Sequence, residues 1–207
     1  MERQQLIDNI LELEWKMFTN APSADGRAAC QDDKATFLIM RKAQADIWST
    51  DTLASYLYDL EEASQIGINL MTIKYAHMMK ITFPDEYENI KSKLPPVSPG
   101  ALELAREIMK YHSKWAKEAS GKYPHLFSMG RPVNSTDSDG SNFAAIDNYL
   151  YSELLTYSEA TLKHCLEDTL KAESEGKNLS VEILKNTAKS YKFDSLEEIE
   201  EVFSKNN

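Results

Sequence analysis

Apolar residues recur at helical spacing nearly everywhere along this chain, and no run of alternating β-branched residues reads as a strand. The period predicts helices over about 3–19, 34–48, 50–66, 69–81 and 84–92, then 100–119, 142–155, 159–175, 179–191 and 195–204. Between the two groups lies Leu94-Pro95-Pro96-Val97-Ser98-Pro99. Proline lacks the amide hydrogen and restricts the residue before it, so this stretch reads as a linker. The expected architecture is all-α, with a first five-helix repeat over 1–94, a linker over 95–99 and a second repeat over 100–207, packed as one unit about a pseudo-twofold axis.

The two groups also resemble each other in sequence. Residues 48–70 align without a gap on 157–179, so that Ser49, Thr52, Leu53, Leu57, Asp59, Ala63, Gly67, Asn69 and Leu70 recur as Ser158, Thr161, Leu162, Leu166, Asp168, Ala172, Gly176, Asn178 and Leu179. That pattern reads as a duplication. Gly67 and Gly176 stand where a helix end needs a left-handed residue, and Asn69 and Asn178 stand where the next helix needs a cap.

Long stretches without helical period precede the second helix of each group. The first runs from Asn20 to Asp33 and holds Arg27, Cys30, Gln31 and Asp32; the second runs from Tyr123 to Asn142 and holds Gly130-Arg131. The Ser/Asp-rich part of the second reads as mobile, and both Gly-Arg loops read as walls or lids of a site. Asp33 is the expected cap of the helix starting at Lys34, which leaves Asp32 to point elsewhere.

Four apolar stripes are interrupted by polar residues. Glu14 sits amid Ile7, Ile10, Leu11, Met17 and Phe18; Arg41 and Gln44 sit amid Phe37, Met40, Ile47 and Trp48. His112 holds the place of Glu14 in the second group, among Ala105, Ile108, Met109, Trp115 and Ala116, and Glu153 holds the place of Gln44. A buried charge costs several kcal/mol unless paired, so these groups need one another or a ligand. Two readings stay open: a structural salt-bridge network joining the repeats, or a polar cavity on the axis between them.

Composition narrows the field. The chain has 207 residues, 42% hydrophobic and 27% charged, as in ordinary globular proteins. A formal net charge of −10, with no Lys/Arg cluster, disfavours nucleic acid and anionic membranes as partners. No apolar run approaches a membrane span and the N-terminus has no signal pattern, so the expected compartment is the cytoplasm. Cys30 and Cys165 read as free thiols. Phosphate loops, HExxH, paired ExxH, DDxxD and Gly-x-Ser-x-Gly elbows are missing, so no metal or cofactor is expected. Asp25, Asp32, Asp137 and Asp139 match no standard ion loop.

The run Glu14-Trp15, Gly26-Arg27-Ala28, Cys30-Gln31-Asp32-Asp33, Thr36-Phe37, Met40-Arg41 and Gln44 resembles an uncharacterised family of bacteria and archaea, a domain of unknown function (the DUF 4125 group). Gly130-Arg131-Pro132 and Glu153 to Ser158 resemble it too, so the likeness covers nearly the whole chain. It implies no reaction, only that the polar positions belong to a shared pattern. The residues themselves suggest a site for a small anionic metabolite, with Arg27, Arg41 and Arg131 as clamps and Gln31, Gln44 and Glu153 around them. Chemistry there would use Glu14 or Asp32 as base and His112 as acid, in a metal-free lyase, isomerase or hydrolase. The rival reading is a helical adaptor that binds another protein.

Overall fold

Helix α1 forms over Arg3–Thr19 because its apolar face, Leu6, Ile7, Ile10, Leu11, Met17 and Phe18, is buried against later helices. The structure, a computed structural model, describes residues 1–22, 26–128, 130–137 and 144–205. Among these every regular element is helical. After α1 come α2 (Lys34–Ala45), α3 (Thr50–Gln65), α4 (Leu70–Thr82) and α5 (Pro84–Ile90). Beyond the prolines follow α6 (Pro99–Lys122), α7 (Pro124–Ser128), α8 (Ile146–Leu154), α9 (Glu159–Ser174), α10 (Leu179–Ser190) and α11 (Leu196–Ser204).

All ten sequence-predicted helices are present, the first at its expected bounds and the others with ends shifted by a few residues. The helix expected over 34–48 stops at Ala45, and the one expected from 142 begins at Ile146. Helix α7 lies where a loop was expected: five residues are too few for apolar periodicity to register. Its formation depends on α11, whose Glu200 carboxylate accepts the His125 and Leu126 amides at 2.8 and 2.9 Å. Pro99 is the first residue of α6 rather than the last of the linker, since a first-turn proline loses no helical hydrogen bond.

Local signals act as read. Ser49 and Ser158 accept the Thr52 and Thr161 amides, and Asn69 and Asn178 accept those of Thr72 and Val181. Gly67 (φ 75°) and Gly176 (φ 65°) adopt left-handed backbone, and the amides that follow return to Ala63 and Ala172. The asparagines do more than cap: Asn69 donates to the Met17 carbonyl at 2.7 Å, and Asn178 to that of Trp115 at 3.0 Å.

Helix α1 packs on α3, and α6 on α9, while α3 and α9 pack on each other at the centre. The second and fourth helices cross over, α2 lying on α10 and α4 on α8. One core therefore takes Ile7, Ile10, Leu53 and Leu60 from before the linker and Ala105, Ile108 and Leu162 from after it. No described helix is long and apolar enough to cross a membrane.

Candidate functional site

Where α1, α2, α3, α4 and α8 meet, the polar residues of the apolar stripes close on one another. Arg41 is buried, and all five of its N–H donors are engaged. Its Nε donates to Glu14 Oε2 at 2.8 Å and its Nη2 to Glu14 Oε1, a fork on one carboxylate. Nη2 also donates to Glu153 Oε1 at 2.9 Å, and Nη1 to Glu153 Oε2 at 3.2 Å and Gln44 Oε1 at 2.8 Å. Gln44 Nε2 completes the circuit to Glu153 Oε1 at 3.1 Å. An anion would reach Arg41 only by displacing a carboxylate.

Three members of this network escape sequence reasoning. Lys74 of α4, 2% exposed, donates to Glu153 Oε2 at 3.3 Å and to Tyr149 Oη at 2.7 Å. Tyr56 donates to Glu14 at 2.7 Å and Tyr157 to Glu153 at 2.8 Å. A signal for Lys74 existed: it stands amid Leu70, Met71, Ile73, Tyr75, Ala76 and Met78. The tyrosines gave none, since a tyrosine in an apolar stripe reads as core.

The charges balance, two carboxylates against one guanidinium and one ammonium. Burial works against the charged forms, and proximity restores them. The Arg41 guanidinium stays well above its ordinary value and Lys74 above its own, although burial opposes both, because Glu14 and Glu153 face the one and Glu153 the other. Glu153 lies well below the carboxylate range: burial would raise it, but Arg41 and Lys74 outweigh that. Burial pushes the Tyr56 and Tyr157 hydroxyls up.

The remaining expected residues lie elsewhere. Gln31 is buried in a 3-10 turn over Ala29–Asp32, where its amide donates to the Phe18 and Ala21 carbonyls at 2.8 and 3.0 Å and staples the loop to the end of α1. Arg27 and Asp32 pair on the surface at 2.8 Å, with Arg27 also donating to the Thr19 and Gln31 carbonyls. Asp33 caps α2, its oxygen accepting the Thr36 amide at 3.0 Å. Arg131 donates to the Ala144 carbonyl at 2.9 Å and stacks 5.3 Å from the Tyr149 ring centre. His112 lies outside the network, edge-on to Trp115 with ring centres 5.1 Å apart. Burial lowers its pKa to about 4, so the imidazole is neutral near pH 7.

The arrangement therefore does not bring the expected acid and bases together. Glu14 is closed inside the ion network, Asp32 is on the surface, and a neutral His112 lacks the imidazolium proton that a general acid would give. Asp25 and Asp139 lie outside the described residues, as does the side chain of Asp137. Among the described residues no three His, Cys, Asp or Glu side chains gather as metal ligands.

Two cavities flank the network. One of about 440 Å³ is lined by Arg41, Gln44 and Arg131 with Cys30, Tyr75 and Tyr149. The other, about 300 Å³, reaches His112 and adjoins the first through Met40, Gln44, Ile146, Tyr149 and Ile183, which line both.

A family model described as a protein of unknown function, DUF4125, matches residues 4–201. The chain belongs to the DUF4125 family. No curated protein and no solved structure matches it. In this DUF4125 member the match spans α1 through most of α11, so the ion network and both cavities fall within it.

Proposed function

We propose that this protein binds a small anionic metabolite in a cavity between two related halves. The halves, α1–α5 and the helices from α6 onward, are read as a duplication about an approximate twofold axis passing between α3 and α9. Reciprocal contacts support that reading. The Ser49 amide donates to Asp168 at 2.8 Å, and the Ser158 amide to Asp59 at 3.0 Å. The asparagine caps likewise bind Met17 and Trp115 alike.

The observation that carries the binding reading is the cavity of about 440 Å³ with Arg41, Gln44 and Arg131 on its wall. Its size falls within the ~300–1,000 Å³ of small-molecule sites. Of the three expected arginine clamps, Arg41 and Arg131 line this cavity and Arg27 does not; Arg41 is held by two carboxylates, so Arg131 is the cation through which an anion would be held. The Tyr75 hydroxyl, kept neutral by burial with its pKa at about 12, can donate beside it.

A panel of carboxylate and phosphate metabolites, screened by thermal shift, tests this. A ligand at a hundred times its Kd adds about 2.7 kcal/mol. The expected outcome is a raised Tm for at least one anion, abolished in Arg131→Gln. If no anion stabilises the wild type, or if Arg131→Gln binds equally well, the anion reading fails.

An adaptor role is the second reading, and the saturated ion network favours it, since such a network needs no ligand. Against it, the exposed large apolar residues are spread over several helices, with Met40 on α2, Tyr58 on α3, Ile81 on α4, Leu170 on α9 and Val202 on α11.

A further inference from the structure

We infer that the cavity around His112 is a separate binding site, for an uncharged, largely apolar small molecule that presents one hydrogen-bonding group to the imidazole. This does not rest on the anion reading, because the two sites are built from different chemistry.

The cavity arises from the way the two halves differ. Pairing Met17 with Trp115 and Asn69 with Asn178 sets Glu14, Arg41, Tyr56 and Lys74 against His112, Leu150, Cys165 and Ile183. It also sets Phe18 against Ala116. In the first half the large polar groups fill the space between helices and satisfy one another. In the second half arginine, tyrosine, lysine and phenylalanine give way to leucine, cysteine, isoleucine and alanine. Matching caps hold the helices, so they do not collapse onto the shorter side chains, and about 300 Å³ stays open. His112, Ala116, Leu150, Cys165 and Ile183 all line it. A dry apolar cavity of about 150 Å³ already admits benzene, so this one has room for a fused two-ring compound.

Its polar groups are mostly spent. Gln44 and Glu153 belong to the ion network, and Asp168 accepts from Ser49 and from the Thr52 hydroxyl at 2.6 Å. The Thr169 hydroxyl donates to the Cys165 carbonyl in its own helix, and burial pushes the Cys165 thiol well up, leaving it inert. Among the described residues His112 makes no hydrogen bond, so its neutral ring keeps one donor and one acceptor for an occupant. No Lys or Arg lines the cavity among the described residues, while the Asp168 and Glu153 carboxylates do, which disfavours an anion. Glu153 is neutralised by Arg41 and Lys74, and Asp168 Oδ2 already accepts from both Ser49 and Thr52, so a cation gains little for losing its water.

The test compares three probes of one shape at pH 7.5 by calorimetry: 2-naphthol, 2-naphthoate and 2-naphthylmethylammonium. The expected result is saturable binding of 2-naphthol, at least tenfold tighter than either ion. Ala116→Phe, which places in the second half the residue the first half has at Phe18, should abolish it. His112→Leu should weaken it about tenfold. Should His112→Leu fail to fold, the ¹⁵N signals of His112 in the wild type, read among four histidines, should shift on adding 2-naphthol. The inference is overturned if 2-naphthol does not bind, if either ion binds as tightly, if Ala116→Phe leaves binding intact, or if neither the His112 variant nor its signals respond. Arg131→Gln should leave 2-naphthol binding unchanged, so failure here and failure of the anion reading are told apart.

Discussion

Arg41 illustrates why a charged residue in an apolar stripe is not by itself a ligand site. It is 7% exposed and holds two carboxylates that are still more deeply buried. Arg41→Met keeps most of the volume but strands Glu14, and breaking a buried pair in this way costs about 3–5 kcal/mol. Adding Glu14→Leu should recover most of that loss, because the remaining charges, Lys74 and Glu153, still balance at 3.3 Å. Denaturant melts of the two variants check this. A single mutant as stable as wild type would show that water enters the network and that Arg41 is available to a ligand after all. Residue identities here were legible in sequence as far as Glu14, Arg41, Gln44 and Glu153. Their partnership was not, because Glu153 comes from a helix more than a hundred residues beyond Arg41.

At the scale of elements, helices were legible because their signals are local: an apolar period, a capping serine or asparagine, a glycine at the end. The joints between helices carry information that no local signal holds. Asp59 and Asp168 align in sequence, yet each binds the start of a helix on the far side of the proline linker, at Ser158 and Ser49. Asp168→Ala leaves the Ser49 amide and the fully buried Thr52 side chain without their acceptor, and should cost about 1–3 kcal/mol. Asp168→Asn, which keeps an acceptor oxygen, should lose less. Equal Tm values for the alanine variant and wild type would remove this joint from the account of how α3 and α9 are held. Helix α7 escaped prediction for the same reason, its end being closed by a carboxylate from α11.

Across the whole molecule, α2 packs on α10 and α4 on α8, so the main core draws on residues from both sides of the proline linker. Residues 1–94 and 100–207, produced separately, should each lack a cooperative melt by circular dichroism and regain helix with a sharp transition when mixed. A cooperative melt for either half alone would mean that the crossed contacts are dispensable. The all-helical class, the ten longer helices, the caps and three of the buried polar residues, Glu14, Arg41 and Glu153, were legible along the chain, because each depends on the spacing of neighbours along one helix. Which of those residues meet is settled by packing between helices. It brought Lys74, Tyr56 and Tyr157 to the ion network, sent Arg27 and Asp32 to the surface and left His112 beside an apolar cavity. Pairing and cavity volume depend on side chains from helices far apart in the chain, and a single sequence does not record how those side chains fill the space between them.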